Sequence, residues 1–281
     1  MILDTTILLV GLVFPESPRW HDDKLWFSDV YDHKVMTVDI AGHSETVVLL
    51  PGWPSGIGWL PDNRLVIVSV MERALLRLGS ERLVNVADLR NLESGGCNDM
   101  VVSQQGWAYI GTLGYNPYAN EPYAQGKIIL VTLDGTARVV ADQLGFPNGM
   151  VITPDGQTLI IAESSGECLT AFDIASDGSL LNRRIWAQMK GCIPDGICLD
   201  AEGAIWVAAF GSTDVLRVCE GGAITHRARV ANTPLACMLG GVDRRTLFVA
   251  TTASNKPDDA IARRSGCIET VRVEVAGAGL P

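Results

Sequence analysis

Six positions recur at one place in a repeat along this 281-residue chain: Glu16, Ser55, Asn98, Asn148, Asp195 and Ala236. Each lies nine to eleven residues before a short apolar run, and each is followed mainly by small or apolar residues. Four of them, Glu16, Asn98, Asn148 and Asp195, are carboxylates or carboxamides. If the repeat is radial, these side chains converge on one axis. Two carboxylates and two carboxamides gathered in an apolar channel are destabilising unless something satisfies them. A divalent cation does so: the carboxylates neutralise it and the amide oxygens complete its shell. The donors are all hard oxygens, which suits Ca²⁺, Mg²⁺ or Mn²⁺ best and Zn²⁺ less well. No Cys or His shares the register, which argues against a closed structural zinc site. So few protein ligands leave room for water and substrate. A plainer reading stays open, because Asn148-Gly and Asp195-Gly are also ordinary turn dipeptides.

The elements that must position these residues are short. Leu25-Trp-Phe-Ser, Leu65-Val-Ile-Val, Ala108-Tyr-Ile-Gly, Leu159-Ile-Ile-Ala, Ile205-Trp-Val-Ala and Leu247-Phe-Val-Ala start 40, 43, 51, 46 and 42 residues apart. Runs of four, rich in β-branched and aromatic residues, read as strands, and a period of this length reads as propeller blades. The fourth repeat shows the plan. Strands are predicted over 148–153, 158–163, 168–174 and 180–187, with Pro-Asp-Gly, Ser-Gly and Asp-Gly turns between them. Four antiparallel strands, six times over, predict an all-β six-bladed propeller spanning 1–281 as one domain. Residues 7–14 are expected to complete the last blade and so join the two ends of the chain.

Bulk properties narrow the function. A net charge of −10 and no basic stripe exclude nucleic acid and anionic lipid as partners. The longest early apolar stretch, residues 7–14, falls far short of the ~20 residues a spanning helix needs. It also lacks the flanks of a signal peptide, so a cytoplasmic protein is expected. Seven cysteines without a CxxC pair read as buried reduced thiols. His21, His33, His43 and His226 fall in turn-like or outer-strand positions, and no GxSxG elbow is present.

The segment Pro194-Asp-Gly-Ile-Cys-Leu-Asp-Ala-Glu-Gly-Ala-Ile-Trp-Val-Ala resembles the signature of the SMP-30/gluconolactonase (regucalcin-like) family. Glu16-Ser-Pro-Arg-Trp with Leu25-Trp-Phe-Ser-Asp, Cys97-Asn-Asp-Met, Pro147-Asn-Gly-Met and Ala236-Cys-Met-Leu-Gly-Gly extend the likeness along nearly the whole chain. The resemblance implies a six-bladed propeller with one central divalent metal and hydrolysis of lactones, often of sugar acids. It implies Glu16, Asn148 and Asp195 as metal ligands, with Asn98 beside the ion, in contact with substrate or completing the shell. It also implies Asp195 as general base and Asp99 lining the pocket. Family members acting on sugar lactones often carry Arg two residues before the third-blade Asn; here that place is Gly96. Without a planar five-donor group, a polyhydroxylated ligand loses a means of recognition.

The longest insertion, 114–126, carries Tyr115, Tyr118, Tyr123, Pro117 and Pro122. It is expected either to lid the channel mouth, offering Tyr115 and its neighbours to the substrate, or to be a proline-stiffened surface loop. As a lid it points to a substrate less polar than a sugar lactone. The leading expectation is a metal-dependent lactonase with a small-molecule lactone substrate. A phosphotriesterase-like hydrolase and a non-catalytic metal- or metabolite-binding propeller remain as alternatives.

Overall fold

The computed structural model describes residues 1–80 and 82–280. Six sheets stand around an axis, four of them formed by four consecutive antiparallel strands. The innermost strands are Pro15–His21, Pro54–Trp59, Cys97–Val102, Pro147–Ile152, Ile193–Leu199 and Thr233–Gly240, in blades 1 to 6. Each packs on the next and the sixth packs on the first, so the ring closes into a six-bladed β-propeller. Turn chemistry sets the strand ends closely. The fourth blade's strands are Pro147–Ile152, Thr158–Glu163, Cys168–Ile174 and Leu180–Gln188, within one residue of the sequence expectation.

The ring is fastened at its seam. Thr6–Leu12 pairs antiparallel with Gly266–Arg272 as the outer strand of blade 6, which ties the first residues to the last blade. Two further fasteners carry no sequence signal. Ile2–Asp4 adds to blade 5 as a fifth strand, parallel to Ile224–Arg229. The C-terminal residues cross the far face through Ala201 N to Ala276 O, Ala278 N to Leu199 O and the reciprocal Ile152–Leu280 pair. They therefore bind the ends of the inner strands, opposite the starts that carry the site.

Apolar side chains fill the gaps between neighbouring blades. The largest cluster joins blades 5, 6 and 1 through Trp206, Phe248 and Phe27, and Trp20 stacks on Phe248 at 5.3 Å. Glycines let the inner strands approach closely. A β-carbon on Gly149 would lie 2.5 Å from the Ile197 nitrogen, and one on Gly196 would strike Ala236. Asn148-Gly and Asp195-Gly therefore lie inside strands and serve close packing rather than turns.

Every inner strand carries a register shift at its start: between Glu16 and Arg19, Pro54 and Ile57, Cys97 and Met100, Pro147 and Met150, Pro194 and Ile197, and Pro234 and Ala236. Such bulges re-aim a side chain, and those of blades 1 to 5 turn one residue each toward one mouth of the channel. In blade 6 the residue after the shared proline is Leu235, not Ala236 as the spacing suggested; Ala236 packs against Gly196 instead.

Buried carboxylates clamp the loops that lead into the inner strands. Asp29 accepts from the backbone nitrogens of Val13 at 3.1 Å and Phe14 at 2.7 Å, Glu163 from Gly145, and Glu269 from Ala231 at 3.1 Å. All seven cysteines are free, five of them buried.

Candidate active site

The bulged starts of blades 1 to 5 meet at a cavity of about 500 Å³. Glu16, Ser55, Asn98, Asn148 and Asp195 line it together, so four of the expected oxygen donors share one wall. Each carboxamide nitrogen is spent on the backbone or side chains around it. Asn148 Nδ2 donates to Ser164 Oγ at 3.3 Å, and Asn98 Nδ2 donates to the Pro147 carbonyl at 3.3 Å.

The carboxylates are under electrostatic strain. Burial pushes the Glu16 carboxyl up to about 8, and the nearby Asp99 charge adds to this against a hydrogen bond from the Ser17 nitrogen. Burial holds Asp195 well above the usual carboxylate range, with Glu16 and Asp99 raising it further and the Asn148 amide opposing. Among the described residues, buried Asp195 Oδ1 has no hydrogen-bond partner. An orphaned anionic oxygen in a cavity lined by a second carboxylate and two carboxamides fits a hard divalent cation, which would restore ionisation to both acids. Among the described residues no three His, Cys, Asp or Glu side chains group to hold a metal. Ion binding here therefore requires the amide oxygens.

Tyr115 lines the cavity, with Phe146 6.3 Å and Tyr123 5.5 Å from its ring. Asp99 does not line it, contrary to expectation: it is 5% exposed and pairs with Arg19 at 2.6 Å. The one-residue shift at the bulge presents Asn98 to the cavity and sends the next side chain, Asp99, into the channel.

The 114–126 loop reaches across the mouth. Its 3₁₀ turn Pro117–Ala119, capped by Asn116 Oδ1, sets Tyr118 against Trp53 of the loop before blade 2, with ring centres 4.8 Å apart. Tyr118 Oη lies 3.3 Å from Tyr31 Oη, and Tyr31 packs on Phe14 at 4.7 Å. Phe14, Tyr31, Trp53 and Tyr118 form one aromatic wall, and Ile193 and Phe210 stand elsewhere around the cavity. Sequence reasoning missed Tyr31, Trp53, Ser164 and Phe210, which sit in or beside loops flanking the inner strands and carry no motif. At the place of the family's arginine, a β-carbon on Gly96 would meet Leu113 at 3.0 Å and Val70 at 3.5 Å. Both of those side chains face the cavity. Among the described residues no Lys, Arg or His lines it.

A closed six-bladed propeller with oxygen side chains converging at one mouth of its channel defines the class of this protein. The chain belongs to the SMP-30/gluconolactonase/LRE-like family, which it matches over residues 14–253. It is 25% identical over 281 residues to 6-deoxy-6-sulfogluconolactonase of Pseudomonas putida, covering 96% of this chain and 94% of that one. It is 24% identical over 287 residues to a pentonolactonase of Haloferax volcanii, covering 95% and 92%. A crystal structure of regucalcin, a calcium-binding protein of Agrobacterium tumefaciens, superposes with a TM-score of 0.84 at 22% identity, covering 100% of this chain and 98% of that one. Among the described residues no helix is long and apolar enough to cross a membrane.

Proposed function

We propose that this chain is a metal-dependent lactonase whose substrate is less polar than an aldonolactone. The observation that carries the reading is Asp195 Oδ1, buried and unpartnered beside Glu16, Asn98 and Asn148 at the floor of an aromatic-walled cavity. The family and the lactonases among its relatives support a lactone-opening hydrolase. Glu16, Asn148 and Asp195 would hold one divalent cation, Ca²⁺ by the hardness of the donors, with Asn98 beside it. When bound, the ion would polarise the lactone carbonyl and ease deprotonation of water.

The chain's own residues supply the rest. Asp195 would hold the ion through one carboxylate oxygen and take a proton from the attacking water through the other. Asn98 and Ser55 flank the reacting ring and orient it. Tyr115, Tyr118 and Trp53 receive apolar ring substituents and exclude bulk water. Leu113 and Val70, at the place of the family's arginine, offer nothing to a row of hydroxyls, which sets the preference for a less polar ring.

The test is hydrolysis of a panel running from gluconolactone to alkyl and aryl γ- and δ-lactones, with an aryl phosphotriester included. Chelator-stripped protein is compared with protein reloaded with Ca²⁺, Mn²⁺, Mg²⁺ or Zn²⁺. Metal-restored lactone opening that is lost in Asn148→Ala supports the reading. Turnover of the phosphotriester alone, or metal binding with no turnover, would replace it.

A further inference from the structure

Beside the oxygen cluster, the channel holds a buried ion pair that the chemistry above does not use. Arg19 (2% exposed) comes from the inner strand of blade 1 and Asp99 from that of blade 3. Between these blades stands Gly56 of blade 2, whose β-carbon would lie 2.5 Å from the Met100 nitrogen, so the second and third inner strands approach closely. Arg19 Nη2 donates to Asp99 Oδ1 and to the Met100 carbonyl, both at 2.6 Å, and Nη1 donates to the Pro18 carbonyl at 2.9 Å. Asp99 Oδ1 also accepts from the Met100 nitrogen at 2.8 Å. A buried pair contributes little net stability once desolvation is counted, so packing alone does not account for it.

Its charges stand beside the cluster: Arg19 shares the inner strand Pro15–His21 with Glu16, and Asp99 directly follows Asn98 in the inner strand Cys97–Val102. Three buried carboxylates and one guanidinium leave two negative charges, which one divalent ion cancels.

We propose that Arg19 is the fixed cation of the channel, holding Asp99 out of the oxygen cluster and setting the charge that faces the ion so that the cluster takes one divalent cation. The proposal rests on the reading that the cluster binds such an ion. Arg19 and Asp99 act through Glu16 and Asp195 and are positioning residues.

The experiment is calorimetric titration of Ca²⁺ at pH 8.5 into chelator-stripped wild type, Asp99→Asn, Arg19→Met and the double variant, with melting of the metal-free proteins as a check on folding. Asp99→Asn leaves an uncancelled positive charge and weakens Ca²⁺ binding about tenfold; Arg19→Met leaves an uncancelled negative charge and tightens it about tenfold. The double variant returns to within about threefold of wild type. Equal affinities across the set, or single variants shifting in the same direction, would overturn the proposal while leaving the metal site standing. Should Asp99→Asn fail to fold, Arg19→Met binding more tightly than the double variant supports the proposal, and equal or weaker binding overturns it. A wild type that takes up no divalent ion would overturn the site reading as well.

Discussion

Asn148 and Ser164 form a relay between blades 4 and 5: Asn148 Nδ2 donates to Ser164 Oγ at 3.3 Å, and that hydroxyl donates to the Pro194 carbonyl at 2.7 Å. The serine belongs to the loop after the second strand of blade 4, and the carbonyl immediately precedes Asp195 in blade 5. One hydroxyl thus links two of the proposed ligands across a blade boundary.

Ser164→Ala is expected to weaken divalent metal binding about tenfold, the scale on which supporting hydrogen bonds act at metal centres. Thermal stability of the metal-free protein should change little. Calorimetry against Ca²⁺ reads the first effect. An unchanged affinity would remove Ser164 from the site's support.

Asp195→Asn separates function from stability. Loss of the base and of one anionic ligand should cut lactone turnover by at least about 100-fold. The metal-free variant should nevertheless melt higher than metal-free wild type at neutral pH. The sign follows from the raised pKa: a carboxyl that resists ionisation in the fold costs stability as pH climbs above its unfolded value toward its folded one, and the amide has no such cost. Added metal should reverse the order. A variant less stable than wild type with and without metal would contradict the assignment.

The sequence exposed whatever depends on local chemistry. The fourth-blade strands were legible within one residue because Pro154-Asp-Gly, Ser165-Gly and Asp177-Gly fix their ends. The convergence of Glu16, Asn98, Asn148 and Asp195 was legible because the blade period repeats. What depends on one extra residue or on partners from another blade was hidden. Each inner-strand bulge shifts the register by a single position, so spacing alone points to Ala236 where the structure has Leu235. Tyr31 and Trp53 reach the site only because three blades meet there, and spacing along one chain carries no trace of that meeting. The crossing of residues 276–280 under blades 4 to 6 rests on backbone hydrogen bonds, which any sequence can make.

Tyr118 offers a test of the aromatic wall. It is 44% exposed, yet its ring packs on Trp53 and its hydroxyl meets that of Tyr31. Tyr118→Ala should raise KM for aryl- and alkyl-substituted lactones several-fold, because binding area is lost in ground and transition state alike, while kcat stays close to wild type. Unfolding free energy should fall by no more than about 1 kcal/mol. A change in kcat with KM unmoved would place Tyr118 in the chemistry rather than in binding.

The rim above that wall depends on pH through Asp32. This residue ends the 3₁₀ turn Val30–Asp32 and meets Arg264, just past the helix Pro257–Arg263, at 2.8 Å and Lys34 at 2.6 Å. Val30 and Tyr31 of that turn, and Asn255 two residues before the helix, line the cavity. The hydrogen bond from Arg264, with Lys34 adding to it, holds the Asp32 carboxyl down to about 2. A depressed carboxylate contributes stability that is present above its unfolded value of about 3.9 and is lost as pH falls toward its folded one. The side chain is 28% exposed, so solvent screening limits the contribution to about 1 kcal/mol. Asp32→Asn should therefore unfold at lower urea than wild type at pH 7. The two midpoints should converge as pH drops from about 4 toward about 2, because protonation makes the wild-type side chain neutral too. Midpoints that stay parallel across that window would show that Asp32 holds the rim by shape and not by charge.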